Sequence, residues 1–217
     1  MTRAKADVLE RIRSVGLIPI IRTPSPDDAW RATEAVLSAG IGIVEITMGV
    51  PKGVEVITQI AKRCGEAVVV GAGTVLDAEV CRAVMTAGAE FIVAPNLDRT
   101  VLAAAQQAGV ACIPGALTPT EVLSAHQAGA DMVKIFPCGP VGGSRYIRAL
   151  RGPFPHIEFV PTGAITLAEV PALIRAGVAA LGIGAEIVDP AALRSGDMET
   201  ITANARRFLA AVRQARL

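Results

Sequence analysis

Aromatic side chains are scarce: Trp, Tyr and Phe make up 3% of the 217 residues, so any core must be built from Ala, Val, Ile and Leu. An excess of either charge is also missing, with 21 basic and 20 acidic side chains for a net +1. That balance offers no basic field for nucleic acid and no electrostatic anchor for a membrane. Long hydrophobic runs are absent near the start. The first, 15–21, is far too short to span a bilayer and contains Pro19. The stretch before it, residues 5–15, is charged and amphipathic rather than a signal peptide. The four cysteines, Cys64, Cys81, Cys112 and Cys138, show no CxxC pair and no metal-ligand spacing. They read as reduced thiols of a cytoplasmic protein, with Cys112 a small core residue. Of the two histidines, His126 falls in a helical pattern and His156 in the loop Gly152-Pro153-Phe154-Pro155-His156. Neither sits at a strand end, so no His-rich zinc site can be assembled. No metal site is expected.

What is present is 52% hydrophobic residues with no obvious linker, enough for one large core over 1–217. One phrase recurs: an apolar helical stretch, then Ala-Gly, then a short apolar run. It is found at Ala39-Gly40, Ala87-Gly88, Ala108-Gly109, Ala128-Gly129 and Ala176-Gly177. Glycine just past a helix supplies the left-handed cap, and the run after it is the next strand. Eight strands are predicted, at 17–22, 43–47, 67–72, 91–94, 111–114, 132–136, 158–162 and 180–183. Helical patterns at 26–39, 77–87, 118–128 and 166–176 lie between them. Continuous apolar strands alternating with helices imply a parallel sheet with its outer face covered. Eight such units predict an α/β (β/α)8 TIM barrel, with the residues before Leu17 forming an extra N-terminal helix. A dinucleotide-binding sheet would need GxGxxG after the first strand, where this chain reads Arg22-Thr23-Pro24-Ser25-Pro26.

In such a barrel, chemistry gathers at the C-terminal strand ends. Lys134 interrupts the run Met132-Val133-Lys134-Ile135-Phe136, where every neighbour is apolar. A lysine in dry surroundings loses proton affinity and becomes an amine nucleophile near neutral pH. The bland alternative is a lysine that snorkels outward or pairs with Asp131. Glu45 interrupts Ile43-Val44-Glu45-Ile46-Thr47 in the same manner. Alternation allows both to point into the barrel, where an amine beside a carboxylate proton shuttle is the apparatus of Schiff-base chemistry. A structural ion pair is the competing reading, and such pairs contribute little to stability. Gly163, Gly182 and Gly184, after strands seven and eight, would let backbone N–H groups approach an anion.

The motifs Glu45-Ile46-Thr47, Gly71-Ala72-Gly73-Thr74-Val75, Lys134-Ile135-Phe136-Pro137 and Pro161-Thr162-Gly163-Ala164, in that order and spacing, make the chain similar to one family. It resembles the class I aldolases acting on 2-keto-3-deoxy-6-phosphogluconate and 4-hydroxy-2-oxoglutarate, over about 17–188. The resemblance implies a lyase with Lys134 as the Schiff-base lysine and Glu45 as the general acid/base. Thr74 would hold the pyruvyl carboxylate, with Pro95 and Phe136 walling a small apolar pocket. Thr162, Gly163, Ala164 and the Gly182–Gly184 turn would cradle the far end of the substrate. It further implies a cofactor-free homotrimer acting on a small molecule, with no nucleic-acid or membrane partner, in the Entner–Doudoroff pathway. The chain departs from the family where an arginine often follows the Glu-Ile-Thr motif: Gly49 stands there, and Arg22 is expected to supply the charge. Ala185 replaces a frequent serine, and Ala164 a usual glycine. The galactonate-type and hydroxyoxoglutarate substrates, a phosphosugar epimerase or synthase, and a silent sugar-acid-binding barrel are the competing readings.

Overall fold

Short runs rich in Val, Ile and Ala become parallel strands, and the amphipathic stretches between them become the helices that cover them. The computed structural model describes residues 3–217. Its strands are β1 (Leu17–Ile21), β2 (Ile43–Thr47), β3 (Val69–Gly73), β4 (Phe91–Val93), β5 (Ala111–Ile113), β6 (Gly115–Ala116), β7 (Val133–Ile135), β8 (Phe159–Pro161) and β9 (Leu181–Ile183). Its helices are α1 (Lys5–Val15), α2 (Pro26–Ser38), α3 (Gly53–Cys64), α4 (Ala78–Thr86), α5 (Arg99–Gln107), α6 (Pro119–Gln127), α7 (Gly143–Arg151), α8 (Val170–Arg175), α9 (Pro190–Ser195) and α10 (Met198–Ala215).

All ladders are parallel. They run β5-β4-β3-β2-β1-β9 in one sheet and β6-β7-β8 in the other. β5 and β6 are one extended run broken at Pro114, which has no N–H to donate, although its carbonyl still accepts from Lys134 N–H at 2.9 Å. A bridge between Thr162 and Gly182 links the end of β8 to β9. The result is an α/β fold built on a curled parallel sheet.

Two expected elements shift. The third strand starts at Val69, not 67, because Gly65–Ala67 forms a 3-10 turn. The helix expected at 166–176 divides into a 3-10 turn (Leu167–Glu169) and the six-residue α8, with Pro171 in its first turn, where a missing N–H costs nothing.

Alternation divides the apolar residues into two layers. Leu17, Ile21, Val44, Ile46, Val70 and Ala72 face the helices. Ile18, Ile43, Val69, Phe91, Ile113 and Val160 point inward and pack against Val8, Leu9 and Ile12 of α1, which lies beneath the N-terminal strand ends. Each such side chain, fully buried, contributes about 1.5–3 kcal/mol. Gly71 makes room for the one large inner aromatic, since a Cβ there would meet the Phe91 ring at 2.3 Å.

Acids just before β4, β7 and β8 tether the N-terminal segment. Arg3 meets Glu90 at 2.6 Å, Lys5 meets Asp131 at 2.9 Å, and Arg13 donates twice to Glu158 at 2.8 Å. Asp131 also accepts the Cys112 N–H, so it is not the partner of Lys134. Arg206 and Arg216, both exposed, donate to the last carbonyls of α2 and α1, the negative ends of those dipoles.

Candidate active site

Ten of the eleven residues expected at the site line one cavity of about 540 Å³ at the C-terminal strand ends. Glu45 and Lys134 form its floor, Arg22 and Thr74 one side. Pro95, Phe136, Thr162, Gly163, Ala164 and Gly184 complete the expected set. Gly182 is the exception. It lies beneath Thr162, where a Cβ would come within 2.4 Å of the threonine hydroxyl, so the glycine leaves room for Thr162.

Glu45 points inward from the middle of β2 and is 2% exposed. Its carboxylate occupies the volume that a side chain at Gly73 would fill, because a Cβ there would sit 1.8 Å from Oε1. Lys134 is 7% exposed, and its Nζ lies 5.1 Å from the centroid of the Phe136 ring. Its neighbour across the ladder is Gly115. The lack of a side chain there lets the Pro95 carbonyl pack against β6, bringing Pro95 to the cavity wall.

Burial acts on both charges in the same sense. It pushes the Glu45 carboxyl above its ordinary range, against the opposing pull of Lys134 and then Arg22. It lowers Lys134 below an ordinary amine; Glu45 opposes the shift and the Arg22 charge adds to it. The pair is thus driven toward a neutral amine beside a neutral acid, the forms needed to add to a ketone and protonate the leaving hydroxyl.

Thr74 (φ 59°) and Ala164 (φ 52°) adopt the left-handed region on opposite sides of the cavity. For a β-branched residue this conformation is unusual and costs roughly 1–3 kcal/mol, and such strain clusters at functional sites. Thr47, the next inward position above Glu45, is fully buried with no partner for its hydroxyl oxygen. Ala185, where relatives often have serine, also lines the cavity, as do Ile20, Glu186, Val188 and Pro190, which were not anticipated. For Glu186 the available signal was its spacing, two residues beyond Gly184. The two histidines meet elsewhere, ring centroids 4.9 Å apart, and among the described residues no cluster of three potential metal ligands forms. No helix among the described residues is long and apolar enough to cross a membrane.

The family described as "Aldolase: KDPG and KHG aldolase" matches residues 8–204. A 2-dehydro-3-deoxy-phosphogluconate aldolase of Treponema pallidum (strain Nichols) is 35% identical, over 94% of this chain and 95% of the relative. A 2-dehydro-3-deoxy-6-phosphogalactonate aldolase of Escherichia coli (strain K12) is also 35% identical, over 92% and 95%. The solved KDPG aldolase of Legionella pneumophila, with pyruvate captured as a covalent carbinolamine intermediate, superposes with a TM-score of 0.84. It is 28% identical, with 91% of this chain and 96% of that one covered. With its fold, its buried lysine–glutamate cavity and these relatives in agreement, the chain is a lyase of the aldolase type and belongs to the KDPG and KHG aldolase family.

Proposed function

We propose that this enzyme cleaves a 2-keto-3-deoxy sugar acid to pyruvate and an aldehyde through a Schiff base on Lys134. 2-Dehydro-3-deoxy-6-phosphogluconate is the first substrate to test, with glyceraldehyde 3-phosphate as the second product. The observation that carries this reading is the placement of Lys134 and Glu45 on one cavity floor, each shifted toward its neutral form.

The neutral Lys134 amine adds to the C2 ketone, and Glu45 protonates the hydroxyl of the carbinolamine, which leaves as water. The resulting iminium draws electrons from C3. Glu45, now a carboxylate, takes the proton of the C4 hydroxyl as the C3–C4 bond breaks. The bonding pair becomes the enamine and the aldehyde departs. Protonation at C3 and hydrolysis of the pyruvyl iminium free the lysine. The enamine replaces a bare carbanion, and the fixed geometry supplies the rest of the acceleration.

In this reading Arg22 holds the substrate carboxylate in place of the charge missing at Gly49, assisted by Thr74. Its position on the cavity wall supports that role. It also keeps the 6-phosphogalactonate analogue as the second substrate, since a relative of that type is equally similar. The curled sheet is read as one closed (β/α)8 barrel forming a single domain, plugged below by an extra N-terminal helix. The assembly is a homotrimer in the cytoplasm, with the exposed Leu76 and Val141 as apolar contacts. Incubation with pyruvate followed by borohydride should add mass to the peptide carrying Lys134. A folded protein that gives no adduct would refute the mechanism.

A further inference from the structure

In barrels of this type a phosphate is commonly held by backbone N–H groups at helix starts after the last two strands. Here the chain's own acids cap the two helix starts that follow those strands, outside the cavity lining, so at the lining itself only the backbone of the turns at 163–164 and 184–185 is left to meet an anion. After β8, the Thr166 N–H and hydroxyl both bond to Glu169 Oε2 at 2.8 Å. After β9, the N–H groups of Ala191 and Ala192 both bond to Asp189 Oδ1 at 2.8 Å. A further acid, Glu186, stands half-buried on the cavity wall in the turn between β9 and α9. Among the described residues lining the cavity, the cationic side chains are Arg22 and Lys134, and both serve the carboxylate-and-ketone end in the mechanism above. A phosphate dianion at the far end would face a carboxylate with no cation to spare. A hydroxyl there would instead find an acceptor.

From this arrangement we infer that Glu186 is a specificity-determining residue that cancels the advantage of a 6-phosphate. The enzyme therefore turns over the unphosphorylated 2-keto-3-deoxy sugar acid about as well as its phosphorylated counterpart. The inference rests on the aldolase reading and concerns only the end of the cavity remote from Lys134.

The test compares pyruvate release from 2-keto-3-deoxygluconate and from its 6-phosphate, using the full chain and Glu186→Gln at low and high salt. In the unaltered enzyme the two kcat/KM values should lie within about tenfold, and added salt, by screening Glu186, should shift their ratio toward the phosphorylated substrate. Glu186→Gln should raise that ratio roughly fivefold or more through the KM of the phosphorylated substrate, and flatten its salt dependence. Carboxylate binding is common to both substrates and cancels from the ratio. A preference for phosphate above about a hundredfold, falling with salt, overturns the inference, because it is the signature of a cationic phosphate site. So does a ratio that Glu186→Gln leaves unmoved. If neither substrate releases pyruvate and borohydride yields no Lys134 adduct, the aldolase reading falls and takes this inference with it. A Lys134 adduct together with a strong phosphate preference overturns this inference alone.

Discussion

Replacing Gly73 with alanine, a one-carbon change on a residue outside the cavity lining, should disable the enzyme. The added Cβ would sit 1.8 Å from Glu45 Oε1, against the 3.4 Å at which ordinary contact begins. One of the two must yield by about 1.6 Å. The strand is poorly able to do so, since β3 pairs with β2 along its whole length and the Gly73 carbonyl accepts the Met48 N–H at 2.8 Å. The displacement therefore falls on the Glu45 carboxylate. A misplacement of about 1 Å typically costs on the order of a hundredfold in rate, so Gly73→Ala should lower kcat by roughly that factor or more. It should also destabilise the fold by about 1–3 kcal/mol, as overpacking does. The assay is steady-state pyruvate release beside thermal melting, with Glu45→Gln and the double variant completing a cycle. If glycine acts only by housing Glu45, the double variant is scarcely slower than Glu45→Gln alone. A Gly73→Ala enzyme with kcat within threefold of the parent, or effects that multiply in the cycle, would show that Glu45 is not where the proton chemistry resides.

Lys134→Met should keep the fold and abolish turnover, and it should also stabilise the protein. The native pKa of Lys134 lies below its ordinary 10.5, so the unfolded chain binds that proton more tightly. Stability thus rises with pH between the two values, and below that window the full penalty is present. At pH 7 the variant should therefore melt at least as high as the parent, by roughly 1 kcal/mol, with the gap closing toward pH 11; a lower melting point at pH 7 contradicts the desolvation account. Arg22→Ala should raise the KM for substrate by about ten- to a hundredfold, the worth of a charge-assisted hydrogen bond, and an unchanged KM in a substrate titration removes its role at the carboxylate.

Much of this was legible along the chain. The Ala-Gly phrases marked helix ends, because only glycine takes the left-handed cap without cost, and Gly40, Gly88, Gly109, Gly129 and Gly177 all have positive φ. Lys134 and Glu45 stood out because a charge inside an apolar strand is expensive, and the period of two sent both inward. Other features required the strands to be placed side by side. The pairing of Asp131 with Lys5 rather than Lys134, the space that Gly73 leaves for Glu45, and the position of Gly182 under Thr162 depend on neighbours far away in the chain. So does the arrival of Glu186 at the cavity wall. Local patterning governs which face of an element is apolar, because that is a property of a few successive residues. Cross-strand register and the shape of the shared cavity are settled only by closure and packing, where each side chain's room is what its non-local neighbours leave empty.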